Sequence, residues 1–182
     1  MSLEFVTNSP ISDNLGRMVR EISAGGVVLR KTTKNWQVAV IEPPKDTPVP
    51  APGQASRKAV QKKLLALPKG LVDHGEKPEQ TAVREVLEET GLAAVLVAKL
   101  GDIKYVYTRT WGDQERVFKI VSFYLLRYRS GKIDEISQEM RVEVKQALWI
   151  PLNDAVYQLA YRGEKGMVRR AQEYLQAHPE LD

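Results

Sequence analysis

Residues 70–92, GLVDHGEKPEQTAVREVLEETGL, place Glu85, Glu88 and Glu89 close together near one end of a single predicted helix. Pro78 suits the first turn, where its missing amide donor costs nothing, and Gly91 suits the position just past the last turn. The spacing therefore predicts a helix over Pro78 to Thr90. At about 100° per residue, Ala82, Val83, Val86 and Leu87 fall on one broad stripe that faces inward. The three glutamates fall on a different arc, because positions three and four apart are neighbours on a helix surface. Like charges repel there, and the helix dipole makes negative charge near a C-terminus more costly still. Such a cluster reads either as a solvated acidic face or as carboxylates converging on a cation. Arg84, four residues before Glu88, can pair with it and orient one carboxylate.

The preceding loop, LPKGLVDHGE, favours the cation. Pro68, Gly70 and Gly75 shape a segment whose backbone can approach a ligand closely, and Lys69 supplies a point charge suited to phosphate. Loop and helix together read as a metal-phosphate site. Cysteine is absent and the chain has two histidines, His74 and His178, so any metal is expected on oxygen donors. Oxygen donors favour hard cations such as magnesium, manganese or calcium. His74 lies in the loop, facing either solvent or phosphate.

The 182 residues, 43% hydrophobic and 27% charged, suit one ordinary globular domain. No apolar run approaches the roughly 20 residues of a membrane span, and the N-terminus lacks a basic segment followed by an apolar one. A soluble, cytoplasmic chain is expected, without membrane partners. The net charge of +4 is modest and spread out, so no stable nucleic-acid complex is expected. Arg57, Lys58, Lys62, Lys63 and Lys69 lead into the glutamate segment, and Arg109, Arg116 and Lys119 follow it. These side chains read either as a solvated surface or as flanks to a phosphate chain.

Residues 1–19 lack periodicity and read as a flexible arm before a single domain over 20–182. Ile22 to Leu29 and Trp36 to Ile41 are apolar, β-branched and separated by polar residues, which predicts a hairpin-like pair of strands. A Pro-rich, basic insertion follows at about 43–65; PPKDTPVPAPGQAS reads as an exposed loop, and Arg57 to Leu67 as a further strand. Strands are expected at Ala93 to Leu100, Ile103 to Thr108, Arg116 to Arg129 and Val142 to Ile150, with a turn at WGDQ, residues 111–114. Asn153 to Leu159 and Gly166 to Ala177 have helical spacing. Val156, Leu159, Ala160, Val168, Ala171 and Leu175 are their expected inward positions. Mixed sheet and flanking helices make an α/β fold.

Gly70, Glu76 and the run Arg84-Glu85-Val86-Leu87-Glu88-Glu89-Thr90-Gly91-Leu92 resemble the Nudix box, GX5EX7REUXEEXGU with U apolar, at every specified position. The resemblance implies an α/β/α sandwich around a mixed sheet, and magnesium-dependent hydrolysis of a nucleoside diphosphate linked to another group, with manganese able to substitute. ISAGGVVL, LPKG, GDIKYVYT, ERVFKIVSFYLLRY and EVKQALWIPLNDAVYQLAYRGEKGMVRRA are similar to the bacterial diadenosine tetraphosphate hydrolase branch; the insertion at about 43–65 departs from its compact members. By that resemblance Glu85, Glu88, Glu89 and the Lys69 carbonyl are metal ligands, while Glu76 and Arg84 support loop and helix. The general base is Glu85, Glu89 or an acid outside the box, for which Glu143 stands, unless it is a surface glutamate on a strand. Tyr105 and Tyr107 share one side of a strand and read either as adenine platforms or as ordinary sheet aromatics. Lys69, Arg116 and Lys119 are candidate phosphate contacts. Tyr161 falls in a segment resembling that branch, without an assigned role. The expected substrate is a small nucleotide, foremost a dinucleoside polyphosphate, and the expected state a monomer or homodimer. Damaged nucleoside triphosphates, ADP-ribose, nucleotide sugars and RNA 5′ ends are alternative substrates, and a non-catalytic nucleotide sensor is an alternative of another class.

Overall fold

The structure is a computed structural model and describes residues 18–44, 63–109 and 115–181. Its elements, in chain order, are β1 (Val19–Lys31), β2 (Trp36–Glu42), β3 (Lys69–Leu71), α1 (Pro78–Thr90), β4 (Leu92–Thr108), β5 (Arg116–Gly131), β6 (Gln146–Pro151), α2 (Leu152–Gln158) and α3 (Arg162–Ala177). Short 3-10 turns occupy Met140–Val142 and Pro179–Leu181.

The six strands form one mixed sheet, five of them in the order β4-β5-β1-β2-β6 and the sixth, β3, paired with β1 off that path. β1 runs parallel to β5 over Val19↔Val117 to Leu29↔Arg127. On its other edge it pairs antiparallel with β2 through Leu29–Lys31 and with β3 through Ser23–Gly25. β3, the start of the glutamate segment, is thereby moored to the middle of the sheet.

Period-two alternation makes the sheet apolar on both faces. Ala24, Val28, Ala39, Tyr124 and Leu126 pack with Ala82 and Val86 of α1. The intervening residues Val27, Leu29, Val38, Val40, Phe123 and Leu125 pack on the opposite face with Leu152, Ala155, Leu159, Met167, Val168 and Ala171. The result is an α/β/α sandwich.

α1 has the bounds its flanking signals predict. Pro78 opens it, and Gly91 closes it at φ 77°, donating its N–H to the Leu87 carbonyl at 2.9 Å. Leu87, expected inward, is 51% exposed, because it lies one residue past Val86 and turns off the contact stripe. The two strands expected over 93–108 are one strand, β4, whose register shifts beside β5 near Ala94, Leu96 and Lys99 absorb the break at Gly101. β6 starts at Gln146 rather than Val142, because residues 140–142 turn instead of extending. α3 begins at Arg162, before the expected Gly166, and α2 ends at Gln158, leaving Ala160 exposed. Of the strand expected over 57–67, Leu65 and Ala66 make single bridges to Leu159 and Ile41. Residues 57–62, most of the N-terminal arm, most of the insertion and the WGDQ turn lie outside the described residues; Val19 already belongs to β1.

A β-carbon on Gly26 would lie 2.6 Å from Val86 Cγ2 and 2.7 Å from Leu126 Cδ1, so α1 rests directly on the β1 backbone. Gly26→Ala is expected to lower the unfolding free energy by about 1–3 kcal/mol through overpacking. Urea-induced unfolding measures this, and an unchanged midpoint would mean that α1 is not seated in this way.

Candidate active site

Arg84 organises the site from the middle of α1. Its Nε donates to Glu76 Oε1 at 3.1 Å and its Nη2 to Glu76 Oε2 at 3.0 Å, a two-pronged clasp on the loop before the helix. Nη2 also reaches the Leu71 carbonyl at 3.1 Å, while Nη1 donates to Glu85 Oε1 at 2.7 Å and Glu88 Oε2 at 2.9 Å. One guanidinium thus ties β3, the loop and two helix acids together. Hydrogen bonds from Arg84 and then Thr81 hold the Glu76 carboxyl down to about 2, so Glu76 stays ionised.

Glu85 and Glu89 are both buried. Burial raises both carboxyl groups, and Glu89 is pushed up to about 8. Arg84 offsets the effect at Glu85 and Lys69 offsets it at Glu89, while Glu143 raises both. Glu143 is therefore close enough for its charge to bear on the helix acids, although it follows a 3-10 turn rather than lying on a strand. Glu89 Oε2 accepts the Lys69 backbone N–H at 2.7 Å, which docks β3 against the end of α1. Gly70 lets the Glu85 carboxylate lie directly against the β3 backbone; a β-carbon there would push that carboxylate aside.

The three helix acids turn to different partners. Glu85 and Glu88 share Arg84 whereas Glu89 bends toward Lys69, and among the described residues no three His, Asp or Glu side chains form a group able to hold a metal. The donor chemistry nevertheless fits a hard divalent cation. Glu85, Glu88, Glu89 and the Lys69 carbonyl are all oxygen donors, and two of the carboxylates are buried with too little positive charge to match them.

The ammonium of Lys69 lies 3.4 Å from Glu164 Oε1 and 5.9 Å from the centre of the Tyr161 ring. Burial works to lower it, but Glu164 and then Glu89 outweigh that and hold it above its ordinary value. Tyr105 stands near this ammonium and has its hydroxyl raised by burial. Tyr105 and Tyr107 rings are 6.1 Å apart and tilted by 38° rather than stacked. Tyr107 donates to Glu21 Oε2 at 3.0 Å, Arg109 donates to Glu21 Oε1 at 2.7 Å, and Lys119 lies 3.5 Å from Glu21. Lys119 and Tyr107 are thus joined through Glu21, a residue whose role the strand pattern did not suggest. Arg116 opens β5 at the exposed end of the sheet, and His74 is exposed in the loop. Glu164 was also missed, although an acid on the inward stripe with Met167, Val168 and Ala171 was a readable signal.

Comparison with known proteins places these features in a wider set. The family model described as NUDIX domain matches residues 23–171. The protein named MutT4 of Mycobacterium tuberculosis is 38% identical over 160 residues, covering 87% of this chain and 57% of that protein. An 8-oxo-(d)GTP phosphatase of Mycolicibacterium smegmatis is 32% identical over 105 residues, covering 58% of this chain and 29% of the relative. The chain thus spans little more than half, and less than a third, of the two relatives. Among solved structures, an Ap4A hydrolase binary complex from C. elegans is similar in fold, with a TM-score of 0.59 at 19% identity, covering 86% of this chain and 98% of that one.

A buried acid pushed up to about 8 from an ordinary 4.5 binds its proton more tightly in the folded protein than in the unfolded chain. Without metal, the protein should therefore lose stability as pH rises through that interval. Glu89→Gln removes the titration while keeping an acceptor for the Lys69 N–H. In chelator, the variant should unfold at a higher temperature than the parent at about pH 9, with the gap closing toward about pH 4.5. A constant gap across that range would contradict the burial of an ionisable Glu89.

Proposed function

The chain belongs to the NUDIX domain family, and from that premise we propose that it is a metal-dependent hydrolase of phosphoanhydride bonds in nucleoside diphosphate derivatives. The observation that carries this reading is the pair of buried, under-compensated carboxylates, Glu85 and Glu89, at the helix end that faces Lys69 and Glu143. A purely binding module has no need of acids held in mutual repulsion.

Glu85, Glu88, Glu89 and the Lys69 carbonyl would hold the cation. Bound there, magnesium or manganese supplies positive charge that neutralises phosphate oxygens and acidifies water. Arg84 and Glu76 keep the loop and helix acids in register, so that substrate meets a preorganised set. An ionised acid among Glu85, Glu89 and Glu143 takes the proton of the attacking water, whose oxygen bonds to phosphorus as the bond to the bridging oxygen breaks. Lys69 contributes positive charge next to the phosphates, Tyr105 and Tyr107 offer aromatic surface for a base, and Lys119 and Arg116 extend the basic side of β5 toward further phosphates.

The finer reading of the substrate is a dinucleoside polyphosphate, supported by the two tyrosines of β4 and the basic residues beyond them. A second reading, an oxidised purine triphosphate, is supported by the name and 32% identity of the mycobacterial phosphatase.

Turnover should require magnesium or manganese, and Glu89→Gln should reduce it by roughly 10²-fold or more. Chromatography of products from diadenosine tetraphosphate, 8-oxo-dGTP and ADP-ribose checks both points. ATP with AMP from the tetraphosphate supports the first substrate, and 8-oxo-dGMP as the preferred product supports the second. Nucleotide binding without turnover of any of them would refute the hydrolase reading.

A further inference from the structure

The inward stripe of α3 is apolar except at its head, where Glu164 is 3% exposed. A buried carboxylate is costly to leave unpaired. Both oxygens of Glu164 are engaged, and both engage the same short segment. Oε2 accepts the Leu67 N–H at 2.9 Å and Oε1 faces the Lys69 ammonium at 3.4 Å. That segment crosses the fold: Leu65 bridges Leu159, Ala66 bridges Ile41, and the Lys69 N–H donates to Glu89 at 2.7 Å.

Lys69 therefore stands between two buried acids on different helices, Glu164 of α3 and Glu89 of α1. The ammonium pairs directly with Glu164, while the charge of Glu89, which is bonded to the Lys69 backbone N–H, also bears on it. Where Lys69 settles decides how much negative charge remains at the end of α1. We propose that Glu164 is a positioning residue that holds the Lys69 ammonium away from the Glu89 carboxylate, keeping that carboxylate open to a divalent cation. The proposal rests on the metal-dependent reading above. It assigns Glu164 no contact with substrate or metal; it acts through Lys69.

Without the Glu164 charge, the flexible Lys69 side chain turns to the remaining buried acid, Glu89, and competes with the cation there. Loss of a nearby negative charge weakens cation binding in any event, so one variant does not separate the two effects. A double-mutant cycle does. Manganese binding to the full chain without nucleotide is measured by electron paramagnetic resonance for the parent, Glu164→Gln, Lys69→Met and the double variant. Glutamine preserves an acceptor for Leu67, and methionine preserves the bulk of the lysine stem and the Lys69 carbonyl. Should Lys69→Met fail to fold by circular dichroism, Lys69→Gln takes its place in the cycle.

Glu164→Gln should weaken manganese binding by about fivefold or more while Lys69 is present, and by less than about twofold in the Lys69→Met background. Equal losses in both backgrounds would overturn the proposal, since they indicate bulk charge or a general structural role. No loss in Glu164→Gln would overturn it as well. Failure of the parent itself to bind manganese would refute the metal-dependent reading and this inference with it, whereas binding by the parent without coupling refutes this inference alone.

Discussion

The Arg84 guanidinium is the contact on which the site's geometry depends. It presents five donors in a fixed planar fork and remains charged at any working pH. Here the fork grips Glu76 with two bonds, the Leu71 carbonyl with one and the helix acids Glu85 and Glu88 with others. Strand, loop and helix meet at a single cation. A lysine at this position would offer a compact ammonium on a flexible stem, unable to span both the loop and the helix in the same geometry.

Around that contact the fold distributes negative charge unevenly. Glu76 is held ionised by Arg84 and Thr81, whereas burial raises Glu89 against the opposing charge and backbone N–H of Lys69. The sheet makes this arrangement rigid, because β3 is bonded to β1 at Ser23–Gly25 and α1 rests on the bare backbone of Gly26. On the proposed metal-dependent reading, a divalent cation at this end of α1 would supply the positive charge that burial of Glu85 and Glu89 calls for.

Local chemistry explains what was legible beforehand. Pro78 and Gly91 bound α1 correctly because caps are written in one or two residues, and the apolar, β-branched runs of β1 and β2 marked them as strands because that preference is likewise local. Features governed by distant partners were not legible. β4 continues through Gly101 because β5 supplies hydrogen bonds on both sides of the bulges, and Leu87 turns outward because α1 touches the sheet through a narrower stripe than helical spacing allows. Within the site, the Arg84–Glu88 pair was readable at four-residue spacing. The Glu164 bond to Leu67 spans 97 residues and could be inferred only from an acid on an apolar stripe.

The proposed function requires the buried carboxylate at the end of α1, Glu89, to accept a divalent cation. The most direct measurement is calorimetric titration of magnesium at about pH 7, repeated in buffers of different ionisation enthalpy to count released protons. Burial raises the Glu89 carboxyl, so cation binding there near neutrality should be accompanied by proton release. Saturable binding with measurable proton release is expected, a release that diminishes in Glu89→Gln. Magnesium binding without proton release, or no saturable binding by the parent, would contradict that requirement.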